Sequence, residues 1–99
     1  MADTTNIKYD LKIVGREGIE FQGKVDSISS YNERGKFDVL AMHANFISLI
    51  YKKLIIRVSP TDIREMDIGN ALLRNKGGIL EIYLGIEEFV EEKKENQVN

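Results

Sequence analysis

Short segments in which apolar and polar residues alternate constrain the fold of this chain more than any other feature. YDLKIV (9–14) alternates in this way, and LIIRV (54–58) places Leu54, Ile56 and Val58 on one side. Because successive side chains of a strand point to opposite faces, a period of two is typical of half-buried β-strands. The sequence therefore predicts a protein built mainly from short strands.

Further strands and the turns between them follow from the same pattern. Strands are predicted at IEFQGKVDSIS (19–29), FDVL (37–40), ANFISLI (44–50) and ILEIYL (79–84), and turns at residues 16–18, 31–36, 59–62 and 75–78. Gly, Pro, Asn and Asp favour turns because they tolerate or preset the required backbone angles. The apolar residues of segment 62–73 fit neither a strand nor a helix period well, so both remain open there.

The spacing of these segments predicts the fold class. Several strands about 8–12 residues apart indicate an all-β fold, here an antiparallel two-sheet β-sandwich of about 8–10 short strands with a charged C-terminal tail. We expect a disordered N-terminal arm over residues 1–8 and the sandwich domain over 9–86. Residues 87–99 carry five Glu and two Lys and few apolar residues, so we expect a tail that is helical or disordered.

Composition excludes several classes of function. The chain has 99 residues, which is enough for one domain, and a net charge of −2. Its Lys and Arg alternate with acidic residues, so no nucleic-acid partner is expected. The chain has no cysteine for a disulfide or a thiolate metal site. MADTTNIKYD (1–10) is too polar for a signal peptide, and the longest apolar run is too short to cross a bilayer, so neither a signal peptide nor direct membrane insertion is expected.

His43 is the only histidine and the natural first candidate for chemistry. Ser48 and Asp38 lie nearby in sequence, but an odd separation on a strand places His43 and Ser48 on opposite faces. A zinc site would need His43 together with several carboxylates, and no such pattern surrounds it. Gly77-Gly78 lacks the remainder of a phosphate-binding loop and indicates a hairpin turn. We therefore expect no catalytic residue, no metal site and no cofactor.

Five pieces in order give the chain a family resemblance. They are Glu17-Gly18 with Phe21, Gly23 and Val25; Gly35 with Phe37; Leu40; His43-Ala44; and Gly77-Gly78-Ile79-Leu80-Glu81. Over roughly residues 9–86 this order resembles the epsilon subunit of F-type ATP synthases, namely its N-terminal β-sandwich domain.

The resemblance implies a non-catalytic subunit of the central stalk, or rotor. Its partners would be the gamma subunit and the c-ring, and its role would be to couple proton flow to ATP synthesis. It would be cytoplasmic and peripheral on the inner face of the plasma membrane, attached through the complex. The family's C-terminal inhibitory helical hairpin is not expected in this chain. A free-standing interaction module that reuses the sandwich is the alternative, because a fold does not fix a function.

The resemblance also supplies candidate interface residues and two departures. The turn at Asn32, Glu33, Arg34 and Lys36 would face the c-ring, and the stretch around Met42, His43 and Asn45 would lie near gamma. Lys36 stands where the family commonly has an acidic residue. Ala41-Met42 replaces the family's Pro-Gly, which removes a preset turn before His43.

Overall fold

Seven β-strands make up the described part of the protein. A computed structural model describes residues 8–39 and 45–86. The strands are β1 (Tyr9–Gly15), β2 (Gly18–Val25), β3 (Ser27–Asn32), β4 (Gly35–Val39), β5 (Phe46–Ser59), β6 (Asp62–Lys76) and β7 (Ile79–Leu84). No helix in these ranges is long and apolar enough to cross a membrane.

All seven strands belong to one hydrogen-bonded sheet. Their order is β2-β1-β7-β6-β5-β3-β4. The first and last strands of the described residues, β1 and β7, are parallel neighbours. Every other neighbouring pair is antiparallel. The sheet is therefore mixed, and strands far apart in the sequence lie side by side inside it.

The longest hairpin, β5–β6, bends in its middle. Lys52 pairs with Gly69 but Lys53 pairs with Asp67, so Ile68 is an extra residue on β6. Lys52 and Gly69 both adopt left-handed backbone angles, with φ of 70° and 65°. A β-bulge of this kind bends a strand and increases its twist. Because of the bend, β3 pairs with the second half of β5 and β7 with the second half of β6.

The bent sheet folds over onto itself. Tyr9 on β1, the second strand in the order, donates a hydrogen bond from its phenol to the carbonyl oxygen of Val39 over 2.9 Å. Val39 lies on β4 at the opposite edge of the sheet. A bond between these strands requires the two halves of the sheet to face each other, with the apolar side chains between them.

The core lies between the two halves and follows the period of two. Its fully buried members include Leu11 and Ile13 on β1, Leu80 and Ile82 on β7, and Ile50 on β5. Burying one such side chain contributes about 1.5–3 kcal/mol. The alternation in the sequence therefore selects which face of each strand points inward.

The all-β prediction is confirmed, but several details differ. The two-sheet arrangement is not confirmed, since one continuous sheet forms both layers. The described residues contain seven strands instead of 8–10, and the β1–β7 pair is parallel instead of antiparallel. The separate strands expected at 44–50 and 54–58 are one strand, β5, and segment 62–73 is strand within β6. Most of the expected N-terminal arm and all of the tail lie outside the described residues.

Candidate protein-protein interface

A row of apolar side chains crosses the outer face of the sheet. Leu49 lies opposite Leu72, Leu72 opposite Tyr83, Tyr83 beside Val14, and Val14 opposite Ile19. We call these five residues the apolar row. Directly paired residues of neighbouring strands point to the same face, so the row forms one continuous strip. Four strand spacings make the strip about 19 Å long.

The two ends of the apolar row are open to solvent. Leu49 is 49% exposed and Ile19 is 54% exposed, while the three residues between them are half-buried by their neighbours. Ile47 precedes Leu49 on the same face of β5 and is 65% exposed. A contiguous apolar surface on a folded domain is typical of a protein-protein contact site.

Charged pairs border the apolar row. Next to it, Arg74 and Glu81 lie opposite each other on β6 and β7 and form an ion pair of 2.9 Å. Farther along the same face, Lys24 and Asp10 form a pair of 3.1 Å. An apolar centre with a polar rim is the usual anatomy of a protein interface.

A shallow depression lies beside the exposed end of β5. Its volume is about 420 Å³, and it is lined by Asn45, Phe46, Ile47, Arg74, Asn75 and Lys76. The side-chain oxygen of Asn45 accepts a hydrogen bond from the backbone nitrogen of Gly77 over 2.8 Å. Asn45 therefore fixes the β6–β7 turn to the start of β5, in addition to any role in binding.

The predicted ring-facing turn connects β3 and β4. The side-chain oxygen of Asn32 accepts a hydrogen bond from the backbone nitrogen of Arg34 over 2.8 Å. This local bond closes the turn, as Asn commonly does. Glu33, Arg34 and Lys36 are exposed around it. The turn presents charge to solvent, but the described contacts show no partner for it.

The structure separates the predicted interface residues into two places. Tyr51 of β5 pairs with Tyr31, next to the β3–β4 turn, while Asn45 lies six residues earlier, immediately before β5 begins. At about 3.3 Å per residue the two places are about 20 Å apart. Met42 and His43 lie outside the described residues. The prediction therefore concerns two surfaces, and it stays a prediction for both.

A buried serine provides the closest approach to an enzyme-like arrangement. The Ser29 hydroxyl donates to a carboxylate oxygen of Asp38 and accepts a hydrogen bond of 2.8 Å from the Arg57 guanidinium. Ser29 is fully buried, so no substrate carbon can approach its oxygen. The arrangement ties β3 to β4 and β5. Within the described residues, no group of three or more His, Cys, Asp or Glu could hold a metal ion.

The apolar row was not singled out from the sequence. Along each strand the residues of the row alternate with core residues. In the sequence they therefore appear as additional apolar residues without an assigned role. The available signal was that both faces of YDLKIV carry apolar residues, and that Leu72 follows Ala71 and precedes Leu73 without a polar residue between them.

Comparison with known proteins finds a similar subunit of an ATP synthase. The chain is 40% identical over 58 residues to the ATP synthase epsilon chain of a Nitratiruptor species. The match covers 59% of this chain and 44% of that protein, so the chain spans less than half of the relative's length. The resemblance to the epsilon chain is confirmed. No model of a known protein family matches the chain.

Solved structures agree with the epsilon resemblance at the level of the fold. One similar chain is in the Euglena gracilis mitochondrial ATP synthase (OSCP/F1/c-ring), with a TM-score of 0.70 and 16% identity over 99% of this chain and 70% of that one. Another is in the central stalk/c-ring of the Tetrahymena thermophila mitochondrial enzyme, with a TM-score of 0.62 and 8% identity over 76% of this chain and 61% of that one. At these identities the likeness concerns the fold alone.

Proposed function

We propose that this chain is a non-catalytic subunit of the central stalk of an F-type ATP synthase. In this role it bridges the gamma subunit and the c-ring and couples proton flow to ATP synthesis. As part of the complex it lies on the cytoplasmic side, peripheral to the inner face of the plasma membrane. The observation that carries the proposal is the 40% identity to an epsilon chain, in a fold that also resembles chains of two ATP synthases.

The apolar row gives this proposal a contact surface for gamma. Its five side chains lie on a hydrogen-bonded sheet, so they are held in place before a partner arrives. Preorganised surfaces bind more tightly because little conformational entropy is lost on association. Asn45 and the depression beside Ile47 adjoin this surface, which is consistent with the predicted position of Asn45 near gamma. We include Met42 and His43 in the same proposed contact.

The β3–β4 turn gives the proposal a second contact, to the c-ring. This turn lies next to the bend of β5, about 20 Å from Asn45 at the start of that strand. It comprises Asn32, Glu33, Arg34 and Lys36. A subunit that bridges two partners needs two separate surfaces on one rigid body. The single sheet that carries both surfaces meets this requirement.

Binding to a purified gamma subunit of the same source tests the proposal. Leu49→Glu places a carboxylate in the apolar row, and we expect it to weaken binding about tenfold or more, because the charge loses its hydration in the contact. Ile63→Glu is the matched control, since Ile63 is a similarly exposed apolar residue on the other half of β6. Absence of gamma binding by the parent chain, or equal losses in both variants, would refute the proposal.

A free-standing interaction module is the second candidate. It is favoured by Lys36, which stands where the family commonly has an acidic residue. In that case the parent chain fails to bind gamma, and the apolar row binds another partner. Leu49→Glu then abolishes binding to that partner, whereas Ile63→Glu leaves it intact.

A further inference from the structure

Two lysines lie next to one tyrosine at the bend of the sheet, and an arginine lies in the adjacent turn. Lys36 lies directly opposite Tyr31 on β4, and the Lys52 ammonium lies over the Tyr31 ring, 5.5 Å from its centroid. Arg34 is exposed in the adjacent turn. We call Arg34, Lys36, Lys52 and Tyr31 the cationic corner. Tyr51, opposite Tyr31, joins it to the end of β5 that carries the apolar row.

The charges of the cationic corner are not neutralised by the described part of the chain. None of its three cations forms an ion pair with a carboxylate of residues 8–39 or 45–86. Glu33 is the acid in the turn itself. The remaining acids nearby are engaged or face another cation: Asp38 accepts from Ser29, Glu65 pairs with Lys53 at 3.4 Å, and Asp67 lies opposite Lys53.

The unfavourable backbone conformation of Lys52 indicates a functional role for its side chain. Lys52 is the one residue other than glycine with positive φ in the described ranges. The left-handed conformation at a bulge favours glycine or asparagine, and the partner position on β6 is indeed Gly69. Such unfavourable conformations cluster at functional positions. A lysine here places an ammonium over Tyr31 at the expense of backbone strain.

We propose that the cationic corner binds an acidic segment of a partner protein. Carboxylates of the partner would contact Lys36, Lys52 and Arg34, with the tyrosine rings beneath them. The inference rests on the proposed stalk function and deepens it. It predicts that the partner facing the β3–β4 turn presents an acidic loop to it. Lys36 is then a complementary residue and not a source of repulsion.

The charge distribution favours an acidic protein loop over a phospholipid surface or a nucleic acid. The whole chain has a net charge of −2, which opposes the approach and non-specific binding of a large polyanion. A short loop is affected mainly by charges within a Debye length, about 8 Å at physiological ionic strength. Here three cations stand against Glu33, while Asp38 accepts from Ser29 and Glu65 pairs with Lys53, so the local charge open to a partner is positive.

The test is fluorescence polarisation of the whole chain with a labelled peptide in which glutamate alternates with glycine. We expect binding that weakens with salt, and no binding of the same peptide with glutamine in place of glutamate. Lys36→Glu and Lys52→Gly should each reduce affinity about three- to tenfold. Glycine suits the backbone at position 52, so this variant should fold. Lys8→Glu is the control and should retain parental affinity, because Lys8 is an exposed lysine that contacts the carbonyl oxygen of Val58, at the end of β5 far from the bend.

Three outcomes overturn the inference: no binding of the glutamate peptide, equal binding of the glutamine peptide, or unchanged binding by both Lys36→Glu and Lys52→Gly. If the first outcome is accompanied by binding to phosphatidylserine vesicles, the result favours a membrane contact instead. Gamma binding measured separately distinguishes the two proposals. A chain that binds gamma but not the peptide contradicts this inference alone, whereas the reverse result contradicts the stalk function.

Discussion

The phenol of Tyr9 and the carbonyl oxygen of Val39 connect β1 to β4 across the folded sheet through a 2.9 Å hydrogen bond. Both residues are buried, with exposed fractions of 4% and 1%. The bond joins strands that stand five places apart in the sheet order. It is therefore one of the contacts that hold the two halves of the sheet together.

Tyr9→Phe should lower the free energy of unfolding by about 1–3 kcal/mol. The substitution removes the donor but leaves the buried Val39 carbonyl without it, and an unsatisfied buried acceptor carries a desolvation cost of that size. Urea unfolding monitored by circular dichroism measures the loss. An unchanged midpoint would mean that the bond does not stabilise the folded sheet.

The same tyrosine predicts a loss of stability at high pH. Burial raises the pKa of Tyr9 well above its ordinary value of 10.0. Above about pH 10 the unfolded chain releases this proton while the folded chain retains it, so stability falls as pH rises toward the folded pKa. Below pH 10 the contribution is fully present. The free energy of unfolding of Tyr9→Phe should therefore decline less steeply between pH 10 and 11 than that of the parent chain. The lysines and Tyr83 are present in both proteins, so their titration does not cause the difference. Parallel curves would contradict this assignment.

Two isoleucines on β5 should respond differently to truncation. Ile50 is fully buried, and Ile47 is 65% exposed on the outer face. Ile50→Ala should cost about 2–5 kcal/mol of stability because it leaves a cavity, whereas Ile47→Ala should cost less than about 0.5 kcal/mol. Equal losses in denaturant unfolding would show that the inner and outer faces of β5 are misassigned.

Lys52 tests the bend in the β5–β6 hairpin. Lys52→Gly relieves a left-handed backbone strain of about 1–2 kcal/mol and loses a cation-π contact of about 0.5–1 kcal/mol, so stability should stay equal or rise by no more than about 1.5 kcal/mol. Lys52→Val loses the same contact but retains the strain in a β-branched residue, and it should be less stable than Lys52→Gly by more than about 1 kcal/mol. Equal stability of the two variants would exclude a left-handed residue at this position.

Asn45 tests whether one residue serves both the fold and an interface. Asn45→Ala should cost about 1 kcal/mol because the Gly77 amide loses its acceptor. Asn45→Asp keeps the acceptor oxygen and should preserve most of the stability, while it removes the amide donor that a partner could use. Weaker gamma binding by Asn45→Asp, without loss of stability, would assign the residue to the contact as well.

Local patterns predicted the strands but not their continuity. β1 and β7 follow directly from alternation in YDLKIV and ILEIYL. Segment 62–73 was ambiguous because the bulge at Ile68 shifts the phase by one residue: Met66 packs against the core before the bulge, and Ala71 and Leu73 are buried after it. A single extra residue thus defeats a period-two analysis of an unbroken strand.

Long-range pairing and surface role were beyond the local sequence. Nothing within Tyr9–Gly15 or Ile79–Leu84 indicates that these strands are parallel neighbours, since that choice depends on how the whole sheet closes. Likewise, Leu49 and Leu72 become neighbours only when β5 and β6 pair in register. The charged turn at Asn32, Glu33, Arg34 and Lys36 was predictable as a turn, while Lys52 joins it only through the bend.

Affinity purification tests the stalk function most directly. The tagged whole chain is purified under mild detergent from the cells that produce it, and the subunits recovered with it are identified. The account predicts recovery of gamma and c-ring subunits together, and loss of both when Leu49→Glu is combined with Lys36→Glu. Recovery of neither subunit, with the chain folded and the intact ATP synthase present in the same extract, would contradict it.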